Sequence, residues 1–374
     1  MAFVNFNNFT RKPLVLIAPL DWGLGHTTRC IPLIRELINL GCDVIIACNS
    51  TQKELLQQEF PTIPYTHLAG YDIRYGQTRW ITFARLVLQS LKILMKIKQE
   101  KRWLRHFLTS RPVDALISDN RFGLYTTGIP TVFMTHQLGI KTGLGSFADL
   151  VARRWNYRRI ERFTTCWVPD KAGNPSLAGE LSHPARMPAV PVAYIGGLSR
   201  FTPCTGNTEA GGLLIILSGP EPQRSIFEAL LLQQVKDYKG RVTIVRGLPL
   251  ATALPAAPEN CTLLNHAPAA VLHTLICPAT LVISRCGYTT VMDLLKLHKK
   301  TILVPTPGQA EQEYLAHYLQ KQSWAYTTPQ RGFVLGKALA EADGFPYEIA
   351  NAASMEAYKP VLATFVAGIS HREL

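Results

Sequence analysis

The sequence predicts an α/β protein built as two similar halves, each a parallel sheet wrapped in helices, facing one another across a central cleft. Three observations carry this expectation. At 374 residues the chain exceeds what one hydrophobic core usually supports, so two domains of roughly 200 residues or fewer are expected. Apolar runs of strand length alternate with helical patterns along the whole chain, the rhythm of parallel sheets covered by helices. That rhythm breaks at PVAYIGGLSRFTPCTGNTEAGG, poor in charge and rich in Gly, Pro and Thr, and then restarts, as expected of an interdomain linker.

In the first half, LVLIAP (14–19) reads as a strand, followed by a helix from about Thr27 to Leu40, the strand DVIIAC (43–48) and a helix from Thr51. Gly41 and Asp43 mark the turn between them, and VDALIS (113–118) and TVFMT (131–135) continue the series. In the second half the strands are LLIILS (213–218), RVTIVRG (241–247), CTLLNH (261–266), ATLVISR (279–285) and KTILVP (300–305), with helices such as SIFEALLLQQV between them. The tail MEAYKPVLATFVAG reads as a helix able to pack back across the linker. The resulting division is an N-terminal domain over 1–196, a linker over 197–211, a C-terminal domain over 212–350 and a closing segment over 351–374.

Composition narrows the possibilities. The chain is 47% hydrophobic and 17% charged, and no apolar run reaches the roughly 20 residues a bilayer span needs. The opening MAFVNFNNFTRKP lacks the apolar stretch and cleavage site of a secretory signal, so the cytoplasm is the expected location. Eight cysteines are scattered without a CxxC pair, which favours reduced core residues over a metal site. Net charge is +13, and residues 1–200 hold 25 Lys+Arg against 13 Asp+Glu while 201–374 hold 14 against 13. The basic excess therefore belongs to the first half, which is expected to meet something anionic. Residues 79–108 concentrate it, with eight Lys+Arg, one acid and apolar residues at 80, 84, 87, 91 and 94. That spacing reads either as an amphipathic helix for an anionic membrane surface or as a core-packed helix with a solvated cationic face. Arg153-Arg154-Trp155-Asn156-Tyr157-Arg158-Arg159 adds a second basic, aromatic run.

Two clusters carry chemistry. The first strand runs through Pro19-Leu20-Asp21-Trp22-Gly23-Leu24-Gly25-His26 into its helix, and ligands of open α/β sheets bind beyond such strand ends. Gly23 and Gly25 permit close backbone approach, and His26 either accepts a proton from a hydroxyl or only caps the helix. Asp119, Asn120 and Arg121, and His136 with Gln137, end later strands on the same side and are candidate acceptor contacts. The second cluster is Ser284-Arg285-Cys286-Gly287-Tyr288-Thr289-Thr290-Val291-Met292-Asp293, then Thr306-Pro307-Gly308-Gln309-Ala310-Glu311-Gln312-Glu313. Its helix start points N–H groups at a phosphate, and Asp293 offers acceptor oxygens to a ribose diol. Glu311 and Gln312 suit a ring of hydroxyls, though acidic residues also favour ordinary helix starts.

Taken in order, GxGH after the first strand, the linker, S-R-C-G-Y-T-T-V-M-D and P-x-P-G-Q-x-E-Q-E resemble the GT-B glycosyltransferases, above all the MurG-like enzymes and the diacylglycerol glycosyltransferases. The resemblance spans both halves and is strongest from Ser284 to Tyr314. It implies two Rossmann-like domains with the acceptor in the first and a nucleotide diphosphate sugar, UDP-linked, in the second, with no cofactor or metal. By the same resemblance His26 lies at the acceptor hydroxyl, Arg200 on the donor diphosphate, Asp293 on the ribose, and Glu311 and Gln312 on the donor sugar. Ser218, Gly219 and Arg224 stand for the family's glycine-rich turn, and Ser284, Arg285, Gly287, Tyr288 and Thr289 complete the donor side. Asp21, Trp22, Gly23, Gly25, Asp119, Asn120 and His136 form the acceptor side. Asp21, Trp22 and Leu24 interrupt the family's run of glycines, which leaves the acceptor open. Partners implied are the nucleotide sugar, a lipid-linked or glycan acceptor and an anionic membrane surface at the inner face of the plasma membrane, without nucleic acid. A sugar-nucleotide epimerase of the same fold would use the same donor site, and the basic first half also permits a non-catalytic nucleotide- or nucleic-acid-binding module.

Overall fold

The structure is a computed structural model that describes residues 11–71, 79–205, 211–349 and 355–370. Residues 1–10 of the N-terminal segment, the middle of the linker (206–210) and the start of the closing segment (351–354) lie outside the described residues, as do the side chains of 79–91.

The first half contains β1 (Leu14–Pro19), α1 (Leu24–Asn39), β2 (Asp43–Cys48), α2 (Ser50–Glu59), β3 (Tyr65–His67), α3 (Arg79–Ser110), β4 (Ala115–Asp119), β5 (Thr131–Met134), α4 (Ser146–Ile160), β6 (Thr165–Val168) and β7 (Val192–Tyr194). Its seven strands are parallel in the order β3-β2-β1-β4-β5-β6-β7. The second half contains β8 (Leu213–Ile216), α5 (Gln223–Val235), β9 (Val242–Val245), β10 (Cys261–Leu264), α6 (Ala269–Ile276), β11 (Leu281–Arg285), α7 (Tyr288–Lys296), β12 (Thr301–Val304), α8 (Ala310–Lys321), β13 (Tyr326–Thr327) and α9 (Leu335–Asp343), and α10 (Tyr358–Ser370) closes the chain. Its six parallel strands run β10-β9-β8-β11-β12-β13. Strand order reverses beside β1 in one sheet and beside β8 in the other, and such switch points open a crevice at the strands' carboxyl ends.

Alternation along β1 shows why the sheet is covered twice. Val15 and Ile17 face a cluster with Cys30, Ile31 and Ile34 of α1, while Leu16 and Ala18 face Leu104 and Phe107 of α3, the two-residue period of a strand. In the second half Leu213, Ile215 and Leu217 pack with Phe227 and Leu231 of α5 and with Leu335 and Ala338 of α9. The α1 cluster continues through Val291 and Met292 of α7 to Leu362 and Val366 of α10, so apolar packing runs unbroken from one half to the other. Each such fully buried aliphatic side chain contributes about 1.5–3 kcal/mol.

The second half of α3 has a clear inner face. Ile97, Glu100, Leu104 and Phe107 are buried while Lys98, Arg102 and Arg105 are exposed. Glu100 is the helix's only acid, and it is an anchor: it accepts from Arg121 Nη1 at 3.0 Å, Tyr71 OH at 2.8 Å and Gly123 N at 2.9 Å. A Cβ on Gly123 would sit 2.4 Å from the Ile97 carbonyl oxygen, so this loop needs glycine where the helix crosses it.

Three expectations are corrected. The first helix begins at Leu24 instead of Thr27, because Gly23, at φ 77°, makes the turn that frees the next residue to enter the helix. The short strands β3, β6, β7 and β13 were not anticipated, and β7 takes up part of the stretch read as linker. Six cysteines are buried and free as expected, but Cys204 and Cys277 form a disulfide across 73 residues, tying the linker to the end of α6.

Candidate active site

The site forms where the two switch points face each other. Its floor is set by α2, whose start carries a capping box: Asn49 Oδ1 accepts from Gln52 N at 2.9 Å and Gln52 Oε1 accepts from Asn49 N at 3.2 Å. The freed amide of Gln52 donates to Leu20 O and Thr27 Oγ1, both at 3.0 Å, and so holds the β1–α1 loop in place.

Because β1 and β4 are neighbours, with Pro19 opposite Asp119, the first turn of α1 lies over the end of β4. His26 Nδ1 stands 3.0 Å from Asp119 Oδ2. A carboxylate only accepts, so Nδ1 carries the ring proton and Nε2 keeps its lone pair. Arg29, three residues along the same helix face, donates to Asp119 through Nε at 2.9 Å and through Nη2, and its Nη1 lies 3.2 Å from His136 Nδ1. Burial works against the Asp119 carboxylate, but Arg29 and His26 outweigh it and bring its pKa down to about 2. Burial, and after it Arg29, holds His26 below its ordinary 6.5 against the opposing pull of Asp119. The result is a neutral histidine beside a fixed carboxylate.

Across the cleft, α7 begins at Gly287 without a side-chain cap, as α1 does at Gly23, so both helices present free N–H groups. The two starts touch: Thr289 Oγ1 donates to Gly25 O at 3.2 Å, and a Cβ on Gly25 would lie 3.0 Å from that hydroxyl. Tyr288 donates to Pro169 O at 2.6 Å and stacks on His136, ring centres 4.1 Å apart. Glu311, in the first turn of α8, meets His136 Nε2 at 2.7 Å. Burial alone would raise its carboxyl, but His136, with His26 and Arg29 behind it, holds it below the ordinary range. Of the linker pair, Ser199 Oγ donates to Asp293 Oδ1 at 2.7 Å and Arg200 Nε is 3.6 Å from Asp293 Oδ2. That buried Nε has no hydrogen-bond partner, and burial raises the Asp293 carboxyl despite Arg200 and Ser199.

Other anticipated residues sit apart from this group. Arg224 is held by Glu221, just before its helix, at 2.6 Å and by Glu228 within the helix. Arg285 is turned into the domain, donating to Gln223 O at 2.8 Å with its guanidinium over the Phe227 ring, and burial lowers it to about 10. Ser284 is buried, while Ser218 and Gly219 lie in the turn after β8, with Gly219 at φ 101°. Gln312 accepts from Thr306 N at 2.9 Å and shapes the turn before α8. Asp21 accepts from Tyr71 N at 3.0 Å and braces the segment after β3, and Trp22, partly exposed, meets the Tyr71 ring edge-on. Asn120 follows Asp119 with φ 55°, a conformation asparagine tolerates better than most residues. Arg29 carries no role in the sequence motifs, yet it contacts two of the anticipated residues, Asp119 and His136; its position three after His26 was the available signal. Among the described residues, one group of metal-ligating side chains lies within 4.8 Å, Cys204, His273 and Cys277, and its two sulfurs are bonded to each other.

Two facing parallel sheets with a site at their apposed switch points define the GT-B fold. Solved structures with that fold align over nearly the whole chain at low identity. The kitacinnamycin glycosyltransferase has a TM-score of 0.62 at 14% identity, covering 97% of this chain and 95% of its own. MurG of Acinetobacter baumannii has 0.56 at 14%, covering 96% and 100%. The spinosyn rhamnosyltransferase SpnG, in complex with thymidine diphosphate, has 0.58 at 13%, covering 96% of each. Residues 270–354 match the glycosyltransferase family 28 C-terminal domain, the segment from α6 to beyond α9. No curated protein matches the chain in sequence.

Proposed function

We propose that this chain is a glycosyltransferase that moves a hexose or N-acetylhexosamine from a nucleotide diphosphate sugar, UDP-linked, to a hydroxyl of a lipid-linked or glycan acceptor, with inversion and without a metal ion. The observation that carries this reading is the His26–Asp119 pair, 3.0 Å apart at one switch point and faced by the uncapped start of α7. In this reading His26 Nε2 takes the proton of the acceptor hydroxyl, whose oxygen bonds to the anomeric carbon as the bond to the diphosphate breaks. Asp119 holds the ring and stabilises the imidazolium that forms. Arg200 and the N–H groups of α7 receive the charge developing on the leaving diphosphate, and Glu311 orients the donor sugar. UDP rests on the resemblance to MurG-like enzymes. The reading is tested by following nucleotide release from UDP-, GDP- and dTDP-sugars with and without a lipid extract. Acceptor-dependent release of UDP is expected; isomerisation without release would favour an epimerase, and no turnover with tight nucleotide binding would favour a binding module.

A membrane-bound acceptor is supported by α4. Phe147, Val151 and Trp155 follow each other at intervals of four residues and are 78%, 52% and 37% exposed, with Arg154 and Arg158 exposed beside them. Apolar side chains at the acyl boundary with arginines at the headgroups are the pattern of an interfacial helix, each cation contributing about 1 kcal/mol near an anionic surface. No helix among the described residues is long and apolar enough to cross a membrane. The protein is expected to co-float with vesicles containing anionic phospholipid at physiological salt and not with neutral ones; failure to co-float removes this part of the proposal.

A further inference from the structure

We propose that His136 is a positioning residue that makes alignment of the base depend on closure of the two domains. The inference rests on the glycosyltransferase reading. His26, Asp119, Arg29, His136 and Glu311 form an unbroken chain of polar contacts, and only its last link crosses the cleft. The hydrogen-bond inventory fixes the middle of this chain. A guanidinium only donates, so His136 Nδ1 accepts from Arg29, and the ring proton sits on Nε2, where it is given to Glu311. His136 therefore has one face of its chemistry in each domain.

Its surroundings make the dependence steep. His136 is buried, stacked flat on Tyr288, and its Nε2 partner Glu311 belongs to the same domain as Tyr288. Opening the cleft removes both contacts together. Arg29 then loses the partner of Nη1, and its guanidinium is held only through Nε and Nη2 to Asp119. A closed cleft holds Arg29 in one orientation, and with it Asp119 and the His26 ring. The groups facing His26 are Asp119, Arg29 and His136 from the N-terminal domain and Glu311 from the other, with Glu311 and Tyr288 also reaching His136.

The test compares His136→Phe and His136→Asn in the full chain. Phenylalanine keeps the stack on Tyr288 and removes both polar links; asparagine keeps an acceptor near the Nδ1 position for Arg29 and removes the link to Glu311. Both variants are expected to lose about 10- to 100-fold in kcat while binding UDP alone as the wild type does. Nitrogen-15 spectra of the histidines give a readout that needs no turnover. In the variants the His26 titration is expected to move up toward 6.5, because burial, then Arg29 and lastly His136 hold it down. Wild-type kcat in a folded His136→Asn protein would confine His136 to a role inside its own domain and overturn the proposal. An unmoved His26 titration in both variants would also overturn it. If the wild type transfers no sugar, the functional reading fails, and the spectra alone decide whether the coupling exists.

Discussion

At the scale of single residues, the titrations of Asp119 and His26 set the pH behaviour of the site. Asp119 is ionised in the folded protein down to about 2, well below its ordinary 3.8. Its ionised form is therefore favoured by folding, a contribution fully present above 3.8 and lost as pH falls through about 2. His26 is held below 6.5, so its neutral form is the folded one; that contribution is present above 6.5 and lost as pH falls through the folded value. The acid limb of kcat/KM is accordingly expected below 6.5. Asp119→Asn removes the hydrogen-bonded carboxylate that raises His26, so the limb should move further down, and the stranded Arg29 should cost about 3–5 kcal/mol in urea denaturation. A limb that moved up would contradict the assignment. His26 and Asp119 were each legible as residues at strand ends. Their pairing was not, because it depends on β1 and β4 being neighbours, and 93 residues separate the two side chains. Nor can a sequence say which way an arginine points: Arg285 ends β11 beside the cleft residues, yet its guanidinium goes to α5.

At the scale of elements, the contact between the starts of α1 and α7 is the point where a small change should separate stability from function. Gly25 lies within α1, where alanine is favoured over glycine by roughly 0.5–1 kcal/mol. Its Cβ would press on Thr289 Oγ1 at 3.0 Å. Gly25→Ala is therefore expected to leave Tm unchanged or slightly raised while lowering kcat, and adding Thr289→Ala should restore turnover by removing the obstructing hydroxyl. Loss of Tm in the single variant would contradict this reading of the contact. The long strands were plain from their apolar runs; β3, β7 and β13 have two or three residues each, too short for any period to register. The Cys204–Cys277 bridge was likewise invisible, since spacing alone does not reveal which cysteines meet.

At the scale of the whole molecule, the two halves could be read from the repeated rhythm and the break between them. What the sequence did not disclose is how far the halves are joined: one apolar cluster and one polar chain both cross the cleft. Those crossings set the His26–Asp119 pair of one domain against the helix starts of the other, which is the arrangement the proposed displacement at an anomeric carbon requires. The measurement that tests this most directly is the single-turnover rate of sugar transfer by His26→Ala against wild type, from a UDP-sugar to a lipid extract, with UDP affinity measured alongside. The account predicts a loss of about 10²- to 10⁴-fold in rate with UDP affinity unchanged. A His26→Ala protein that transferred sugar at the wild-type rate would contradict it.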